Sequence, residues 1–426
     1  MIKRVLRELS RLFSLPLFFL LLISSCDCNS KVTDPPYTDP LGFTVDTANI
    51  NISSYCKKNV FILKDTIDLQ GKTLYLPADL TIKVRKGLFR NGIIAGNNTT
   101  LQSKCGSVVF DLVHIIGSWN VPVIKSSLFN DLSYDNSLKD VFALTNPDIH
   151  NKVVIEKGDF QVTSTKPSDA ILLVPSNTDV ILDGDIVLTP NGYKMYSIIW
   201  TEGDNISVKG AGSLTGDKYT HKNKEGDWGM GIYIMGGNKV EISGLTIKDC
   251  WGDCIYITNN ANNIVIDKCN LLDGRRQGIS ITSARSVLVK NSIISKVRGT
   301  DPGYAIDIEP NKGDTVTVVT VNNVKIFDCY GGILSRGKAE NSFIKKINVK
   351  NCSIKKIEWC PLNFRFTNAV NVINCEVQAP DKRAGVACNT VKEVKLERLT
   401  IDGQLVRNKG KNERVSVAES KLLIID

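Results

Sequence analysis

Apolar residues alternate with polar ones in short runs along most of the chain, which is the pattern of β-strands with one buried face. Four of these runs recur at the same position of a repeat of roughly 25 residues: Ile232–Ile234, Ile255–Ile257, Ile279–Ile281 and Ile306–Ile308. No helix-length apolar pattern separates them. Strands that recur in this way, without crossover helices or tight hairpins, can stack only by coiling, each coil pairing in parallel with the next. The sequence therefore predicts an all-β chain built as a right-handed parallel β-helix.

The same repeat sets the predicted domain boundaries. It continues more weakly on both sides, which predicts a β-helix over residues 135–426 with about ten coils between residues 151 and 405. Residues 44–130 carry strand-like phrases that leave the repeat near Trp119, so we expect a small, separate β-rich domain there. Residues 137–146 are expected to form a short helix that caps the open end of the solenoid.

The N-terminus has the order of a secretory signal. Residues 3–11 are cationic, residues 12–23 are nearly all apolar, and two serines precede Cys26. The apolar run is too short to span a bilayer comfortably. The phrase Ile-Ser-Ser-Cys ending at Cys26 resembles a bacterial lipoprotein box, which implies a signal peptide over residues 1–25 and lipidation at Cys26; an ordinary signal is the alternative.

A tether is expected after the signal, because residues 26–43 contain three prolines and little apolar pattern. Together, the signal and tether predict a protein of the bacterial cell envelope, lipid-anchored at the outer membrane or cell surface. Contact with the membrane is then made by the lipid alone.

Charge and cysteine usage narrow the choice of partners. The 426 residues carry a formal net charge of +9, but the excess forms no basic stripe with interleaved aromatics, so nucleic acid is not an expected partner. Cys269, Cys329, Cys352 and Cys375 recur in similar phrases and predict a buried ladder of small apolar side chains. The sequence has no Cys-x-x-Cys pair or Cys/His cluster, so no metal is predicted.

Strand alternation points the residues between the repeated isoleucines away from the core. Two outward columns follow, the first of Tyr233, Tyr256, Ser280 and Asp307 and the second of Met235, Thr258, Thr282 and Glu309. The tyrosines can bind sugar rings along the helix axis. Asp307 and Glu309 lie roughly 6.6 Å apart at Cα, which is compatible with either retaining or inverting glycosidase carboxylates. We expect them to act as acid and base, with solvated surface carboxylates as the alternative.

Further polar residues fall near these columns. Asp253 is a third candidate carboxylate, two coils from Asp307. Arg275 and Arg276 lie on the coil between them and are expected to clamp a uronate or sulfate, or else to form a salt-bridge ladder. His221 lies in a polar loop that could fold over the groove and transfer protons; a solvated histidine is the alternative reading.

Residues from about 150 to 380 resemble the pectate-lyase-like β-helix superfamily. Residues 253–257 are similar to the Asp-Asp-Cys strand of polygalacturonase-type glycoside hydrolases, and residues 277–281 to their Gly-His-Gly-Ile-Ser-Ile strand. Gly252, Gln277 and Met230 replace two aspartates and a histidine of that pattern, so Asp253 alone is left of its catalytic set. The phrases around Trp251 and Gln277 look more like bacterial and phage β-helix proteins that act on polysaccharides, which implies substrate contacts for both residues.

Three functions remain open at this point, all with a polysaccharide as partner. The first is a surface-anchored glycoside hydrolase that uses Asp307, Glu309 or Asp253 and needs no cofactor. The second is a polysaccharide lyase or epimerase acting on uronates, whose charge arginine or Ca²⁺ would neutralise. The third is a non-catalytic glycan-binding or envelope-structural β-helix protein.

Overall fold

The structure is a computed structural model, and it describes residues 37–38, 44–45, 59–104, 106–130, 132, 137–337, 343–380, 384–402, 406–409, 414–418 and 424–425. Cys26 and the predicted signal peptide lie outside these residues. The chain divides into two units, Met1–Ala48 and Asn49–Asp426. In the first unit, two short antiparallel strands are described, β1 (Tyr37–Thr38) and β2 (Thr44–Val45).

The N-terminal part of the second unit has its own parallel sheet of six strands. They are β3 (Val60–Leu63), β4 (Ile67–Asp68), β5 (Thr73–Tyr75), β6 (Thr81–Val84), β7 (Phe89–Gln102) and β8 (Phe110–Asn120). The long strand β7 pairs with the other strands except β3, which pairs with β6. Phe61, Phe89 and Phe110 pack in series inside it, with ring centroids 6.4–6.5 Å apart. The predicted N-terminal β-rich domain is therefore present, while its boundary at residue 130 stays a prediction.

A short helix follows this sheet, as the sequence predicts. It is α1 (Ser137–Ala143), preceded by a 3₁₀ turn at Ser126–Leu128, and it packs against β8. The buried Asp140 carboxylate accepts a hydrogen bond from the backbone N–H of Ile115 (2.8 Å). This bond ties the helix to the N-terminal sheet.

The rest of the described chain is a right-handed parallel β-helix with three strands per coil. From β10 to β30, each strand pairs with the strand three positions later, so three parallel sheets run along the helix axis. The strands are β9 (Val123–Lys125), β10 (Asn151–Ile155), β11 (Asp159–Val162), β12 (Asp169–Pro175), β13 (Thr178–Leu182), β14 (Asp185–Leu188), β15 (Met195–Glu202), β16 (Ile206–Lys209), β17 (Ser213–Thr215), β18 (Trp228–Met235), β19 (Asn238–Ser243), β20 (Thr246–Lys248), β21 (Ile255–Thr258), β22 (Asn262–Asp267), β23 (Asn270–Leu272), β24 (Ile279–Ile281), β25 (Ala284–Lys290), β26 (Ile293–Ser295), β27 (Tyr304–Ile308), β28 (Thr315–Asn322), β29 (Lys325–Cys329), β30 (Gly331–Arg336), β31 (Phe343–Lys350), β32 (Ser353–Ile357), β33 (Leu362–Gln378), β34 (Val386–Asp402), β35 (Val406–Lys409), β36 (Arg414–Ala418) and β37 (Ile424–Ile425).

The two longest strands of the β-helix, β33 and β34, contribute successive parts to all three sheets. Sheet 1 contains β12, β15, β18, β21, β24, β27 and β30 and continues into the first parts of β33 and β34. Sheet 2 contains every third strand from β10 to β31 and continues into the middle of β33 and β34, which brings it to ten segments. Sheet 3 contains every third strand from β11 to β32 and continues into the last parts of β33 and β34. Over the described part of residues 151–405, sheet 2 has ten strand segments, which agrees with the predicted number of coils.

The core consists of aliphatic rows that follow the repeat. Ile232, Ile255, Ile279 and Ile306 pair in register and are completely buried, as predicted from their spacing. The predicted cysteine ladder is also confirmed, because its four members, Cys269, Cys329, Cys352 and Cys375, are buried free thiols.

Asparagines shape one turn of successive coils. Asn291, Asn323, Asn351 and Asn374 all have φ between 51° and 55°, in the left-handed region that asparagine tolerates better than most residues. Their side chains also bond from coil to coil, for example from Asn323 Nδ2 to Asn291 Oδ1 (2.8 Å). These turns keep the coils in register, which holds the outer face of sheet 1 regular.

Within the described residues, no helix combines the length and the apolar character that a membrane crossing requires.

Candidate active site

The outer face of sheet 1 carries the predicted first column in register. Tyr233, Tyr256, Ser280 and Asp307 pair in series across β18, β21, β24 and β27, and Leu334 on β30 follows. Because their isoleucine neighbours fill the core, these side chains point away from it. The outward register read from the sequence is therefore correct.

Asp307 is the most perturbed carboxyl group of this face. Only 5% of the residue is exposed. Burial, and secondarily the nearby Glu309 carboxylate, raises the pKa of Asp307 to about 8, although Arg276 opposes the shift. Oδ2 accepts a hydrogen bond from Gln277 Nε2 (3.1 Å), whereas Oδ1 has no partner among the described residues. A carboxyl group with this pKa is mostly protonated at neutral pH.

Glu309 lies two residues further along the chain and has a different environment. Its Oε1 accepts hydrogen bonds from Arg336 Nη2 (2.6 Å) and Nε (3.1 Å). The Glu309 side chain is 19% exposed, so solvent reaches it. The two carboxyl groups of this segment therefore lie in different environments: Asp307 is buried and has a raised pKa, whereas Glu309 is partly exposed and bound to a guanidinium group.

Asp253, the third candidate carboxylate, is not accessible on the outer face of sheet 1. Its carboxylate is completely buried and accepts bonds from Arg276 Nε (2.9 Å) and Nη2 (2.7 Å). The backbone N–H of Gln277 donates a further bond to it (3.1 Å). With its oxygens engaged beneath the surface, Asp253 has no open path to a sugar, and it holds Arg276 and the strand segment at Gln277 in place.

His221 corrects a second expectation. It is neither a groove residue nor a solvated one, because its side chain is completely buried. Nδ1 lies 2.9 Å from Asp217 Oδ2, and the imidazole stacks on the Trp251 ring at a centroid distance of 4.1 Å. Asp217 also accepts bonds from the Tyr196 hydroxyl and from Asn191. The histidine thus anchors its loop, residues 216–227, to the β-helix.

Trp251 and Arg275 belong to the same packed cluster. The Arg275 guanidinium lies 3.8 Å from the centre of the Trp251 ring and also bonds Asp227 Oδ1 (2.9 Å). Since Trp251 is only 7% exposed, its ring is not available as a stacking surface for a sugar. The expected substrate contacts of both residues are replaced by contacts within the protein.

The tyrosine column is only partly open. Tyr233 stacks between Trp200 and Tyr256, at centroid distances of 4.2 and 5.1 Å, and is buried in an outer hydrophobic cluster with Met230. Tyr256 retains partial exposure. Of the expected aromatic platform, Tyr256 is therefore the member that a ligand can reach.

A pocket missed by the sequence analysis opens on the coils after Asp307. Its volume is about 300 Å³, and it is lined by Asp301, Pro302, Tyr304, Tyr330, Leu334, Arg336, Trp359, Asn363 and Arg365. The repeat could have predicted this pocket, because Arg336 and Arg365 occupy the register position of Glu309 on the next two coils. The coils are longer there than in the regular part of the repeat, which hides the match.

In the described ranges, no three His, Cys, Asp or Glu side chains are grouped closely enough to hold a metal ion.

Comparison with known proteins agrees with the fold. Residues 186–346 match the family model described as the right-handed beta helix region. Two curated Bacillus subtilis (strain 168) proteins are similar: the SPbeta prophage-derived uncharacterized protein YorA, 30% identical over 160 residues (32% of this chain and 27% of the relative), and the uncharacterized protein YclG, 28% identical over 189 residues (38% and 32%). The chain spans less than a third of the length of either relative.

Solved structures share the architecture at low sequence identity. The Azotobacter vinelandii mannuronan C-5 epimerase AlgE4 A-module has a TM-score of 0.44 at 11% identity and covers 65% of this chain and 89% of its own. The Yersinia enterocolitica family 28 exopolygalacturonase has the same TM-score and identity, covering 70% and 75%. The tailspike gp49 of Acinetobacter baumannii bacteriophage Fri1, a capsular polysaccharide depolymerase, has a TM-score of 0.28 at 15% identity, covering 89% and 63%. By its fold, the protein is a right-handed parallel β-helix protein.

Proposed function

We propose that the protein is a glycoside hydrolase that cleaves a polysaccharide lying along the outer face of sheet 1. The observation that carries the proposal is the contrast between Asp307 and Glu309, two residues apart on one outer face. Burial raises the pKa of Asp307 to about 8, so it is mostly protonated at neutral pH, while Glu309 is partly accessible to solvent. Glycosidases require such a pair of carboxyl groups in different states.

The proposed reaction follows from these positions. The proton on Asp307 passes to the glycosidic oxygen as the bond from that oxygen to the anomeric carbon breaks. A water oxygen forms the new bond to the anomeric carbon. In an inverting reaction, Glu309 takes the proton of that water directly. In a retaining reaction, Glu309 first forms a covalent glycosyl intermediate, and Asp307 then takes the proton of the water that hydrolyses it. The anomeric configuration of the first product distinguishes the two routes.

The residues around Asp307 support its assignment as the acid. Gln277 Nε2 donates to Oδ2, and Oδ1, a buried oxygen with no hydrogen-bond partner among the described residues, is left to carry the proton. Asp253 holds the Arg276 guanidinium through two hydrogen bonds. Arg276 Nη2 also lies 3.4 Å from Ser280 Oγ on β24, the strand that pairs with the strand of Asp307. We assign Arg276 and Tyr256 to substrate binding and Asp253 to positioning.

A polysaccharide lyase or uronate epimerase is the second candidate. The observation that favours it is the presence of two arginines, Arg336 and Arg365, close to the carboxyl groups, since a guanidinium can neutralise a uronate carboxylate before proton abstraction. The hydrolase is preferred because a buried, protonated Asp307 is suited to donating a proton rather than removing one.

Product analysis tests the proposal. The full chain, purified in detergent, is incubated with a panel of plant, host and bacterial polysaccharides. A hydrolase releases new reducing ends without ultraviolet absorbance from a new double bond, a lyase produces both, and an epimerase changes sugar composition without cleavage. Binding without any of these changes would leave the protein as a glycan-binding β-helix and would contradict the proposal.

We also propose that the protein is a lipid-anchored component of the bacterial envelope. The support is the order of residues 1–26, cationic, apolar and then Ser-Ser-Cys. Cys26→Ala should release the protein from the membrane fraction or block its processing, whereas Cys28→Ala serves as the matched control. Normal cleavage with unchanged membrane retention in the Cys26 variant would contradict lipidation.

A further inference from the structure

The pocket beyond Asp307 has the dimensions and position of a sugar subsite. Its volume of about 300 Å³ lies at the lower end of the range for small-molecule pockets, roughly 300–1,000 Å³. Leu334 and Asn363, at its base, continue the outward column of Asp307 on the next two coils. The pocket therefore begins about 4.8 Å along the helix axis from the proposed acid, at the spacing of adjacent strands.

Two guanidinium groups give the pocket its charge. Arg336 and Arg365 pair in register on neighbouring strands. Arg336 donates a hydrogen bond to the Glu309 carboxylate. The Arg365 side chain donates through Nε to the amide oxygen of Asn363 (3.1 Å), and it bonds no carboxylate among the described residues. One lining carboxylate, Asp301, lies on the opposing loop. The terminal nitrogens of Arg365 are thus open to an incoming anion.

An aromatic surface lies beside these charges. Trp359 is 40% exposed and stacks on Tyr330 with an interplanar angle of 11°. Trp359 lines the pocket and is far more exposed than Trp251. Aromatic walls combined with a few polar groups are typical of small-molecule sites.

Tyr304 supplies the remaining polar group. Its hydroxyl oxygen accepts a hydrogen bond from Asn363 Nδ2 (3.0 Å), which leaves the O–H free to donate. Its ring lies over Gly331, where any Cβ would come within 2.5 Å of the ring atoms. The Tyr304 ring can lie there only because residue 331 is a glycine.

We propose that this pocket binds one sugar ring that carries an acid group. The carboxylate or sulfate of the sugar lies on Arg365, the ring packs against Trp359, and a ring hydroxyl accepts the Tyr304 proton. A guanidinium binds either acid group through two parallel hydrogen bonds, which selects anionic over neutral sugars. That the ligand is a polysaccharide rests on the proposed function. Binding at the pocket, however, requires no bond cleavage.

Calorimetric titration of the full chain in detergent tests the pocket. The probes are a uronate oligosaccharide, a sulfated oligosaccharide and a neutral oligosaccharide of the same length, each added to the Asp307→Asn variant so that the ligand stays intact. At least one acidic probe should bind about 10- to 100-fold tighter than the neutral one, the range for one charge-assisted contact. The stronger of the two acidic probes identifies the acid group.

Variants of the lining residues locate the contact. Arg365→Gln should remove the preference for the acidic probe, and Trp359→Ala should weaken acidic and neutral probes alike. Arg285→Gln is the matched control, because Arg285 makes the same kind of bond, Nε to Asn260 Oδ1 (3.0 Å), at an exposed site on sheet 2.

Each outcome separates the pocket from the catalytic proposal. Equal affinity for acidic and neutral probes, no binding of any acidic probe, or an acidic preference that survives Arg365→Gln would overturn the pocket. An acidic preference that depends on Arg365, found together with no cleavage of any polysaccharide, would support the pocket and contradict the hydrolase. Cleavage of a neutral polysaccharide, found together with equal affinity for acidic and neutral probes, would support the hydrolase and contradict the pocket.

Discussion

The Gln277 amide and the Asp307 carboxyl group, on consecutive coils, are joined by a 3.1 Å hydrogen bond from Nε2 to Oδ2. Gln277 occupies the place where polygalacturonase-type sequences have a histidine. Because an amide does not titrate, it cannot relay a proton, and it acts by orienting the carboxyl group. The proposed reaction therefore depends on Asp307 and Glu309 and not on Gln277.

The pH dependence of the reaction should report the protonation of Asp307. An acid must carry its proton to act, and the pKa of Asp307 is raised to about 8, so kcat/KM should fall as the pH rises through about 8. The measurement is kcat/KM against pH on the substrate found in the polysaccharide panel. A rate that stays constant well above pH 8 would argue against Asp307 as the acid.

The stability of the protein should depend on pH through the same carboxyl group. The ordinary pKa of 3.8 applies to the unfolded chain, so between about pH 4 and pH 8 the folded state binds more protons. The free energy of unfolding therefore loses up to about 1.4 kcal/mol per pH unit from this group as the pH rises. Asp307→Asn removes that loss. Denaturant unfolding at several pH values should show the two proteins converging or crossing, and parallel curves would contradict the raised pKa.

The buried pair of Asp253 and Arg276 should contribute to the stability of the fold. Asp253→Asn leaves a largely buried guanidinium without its counter-charge, at a cost of about 3–5 kcal/mol. The double variant with Arg276→Gln should cost less than the sum of the two single changes. Glu225→Gln, in the exposed pair with Lys194, is the control and should leave the melting temperature unchanged. Strictly additive effects would show that the two side chains are not coupled.

The anchoring of residues 216–227 can be tested by proteolysis. Asp217→Ala removes the acceptor shared by His221, Tyr196 and Asn191, so the loop should open more often. Trypsin should then cleave faster after Lys222 in this loop, while cleavage after Lys312, in a different exposed loop, serves as the internal control. Mass spectrometry of early fragments measures both. Equal rates in variant and wild type would mean that the contacts to Asp217 do not hold the loop.

The rows of the β-helix could be predicted because they depend on two local periods. Alternation decides that Ile306 points inward and Asp307 outward, and the coil length places Ile279 beneath Ile306. Both are visible in a single sequence. The fold follows from these two regularities with no knowledge of distant contacts.

The site could be predicted only in part, because burial on the outer face depends on what the loops cover. His221 and Trp251 bury each other although they lie on different coils, and nothing in either local phrase shows it. Asp253 is engaged because the Arg276 side chain turns back towards it. Trp359 and Arg365 lie where the coils lengthen, so the pattern of the regular coils does not extend to them.

The most direct test of the central claim is the rate at which Asp307→Asn cleaves the polysaccharide that the wild-type protein cleaves. The substitution replaces a neutral carboxyl group with a neutral amide of nearly the same shape, so the fold at neutral pH should be kept. We expect a loss of about 10²- to 10⁴-fold in the release of reducing ends, with a similar loss for Glu309→Gln. A rate close to that of the wild type in the Asp307 variant, with its fold intact, would contradict the account.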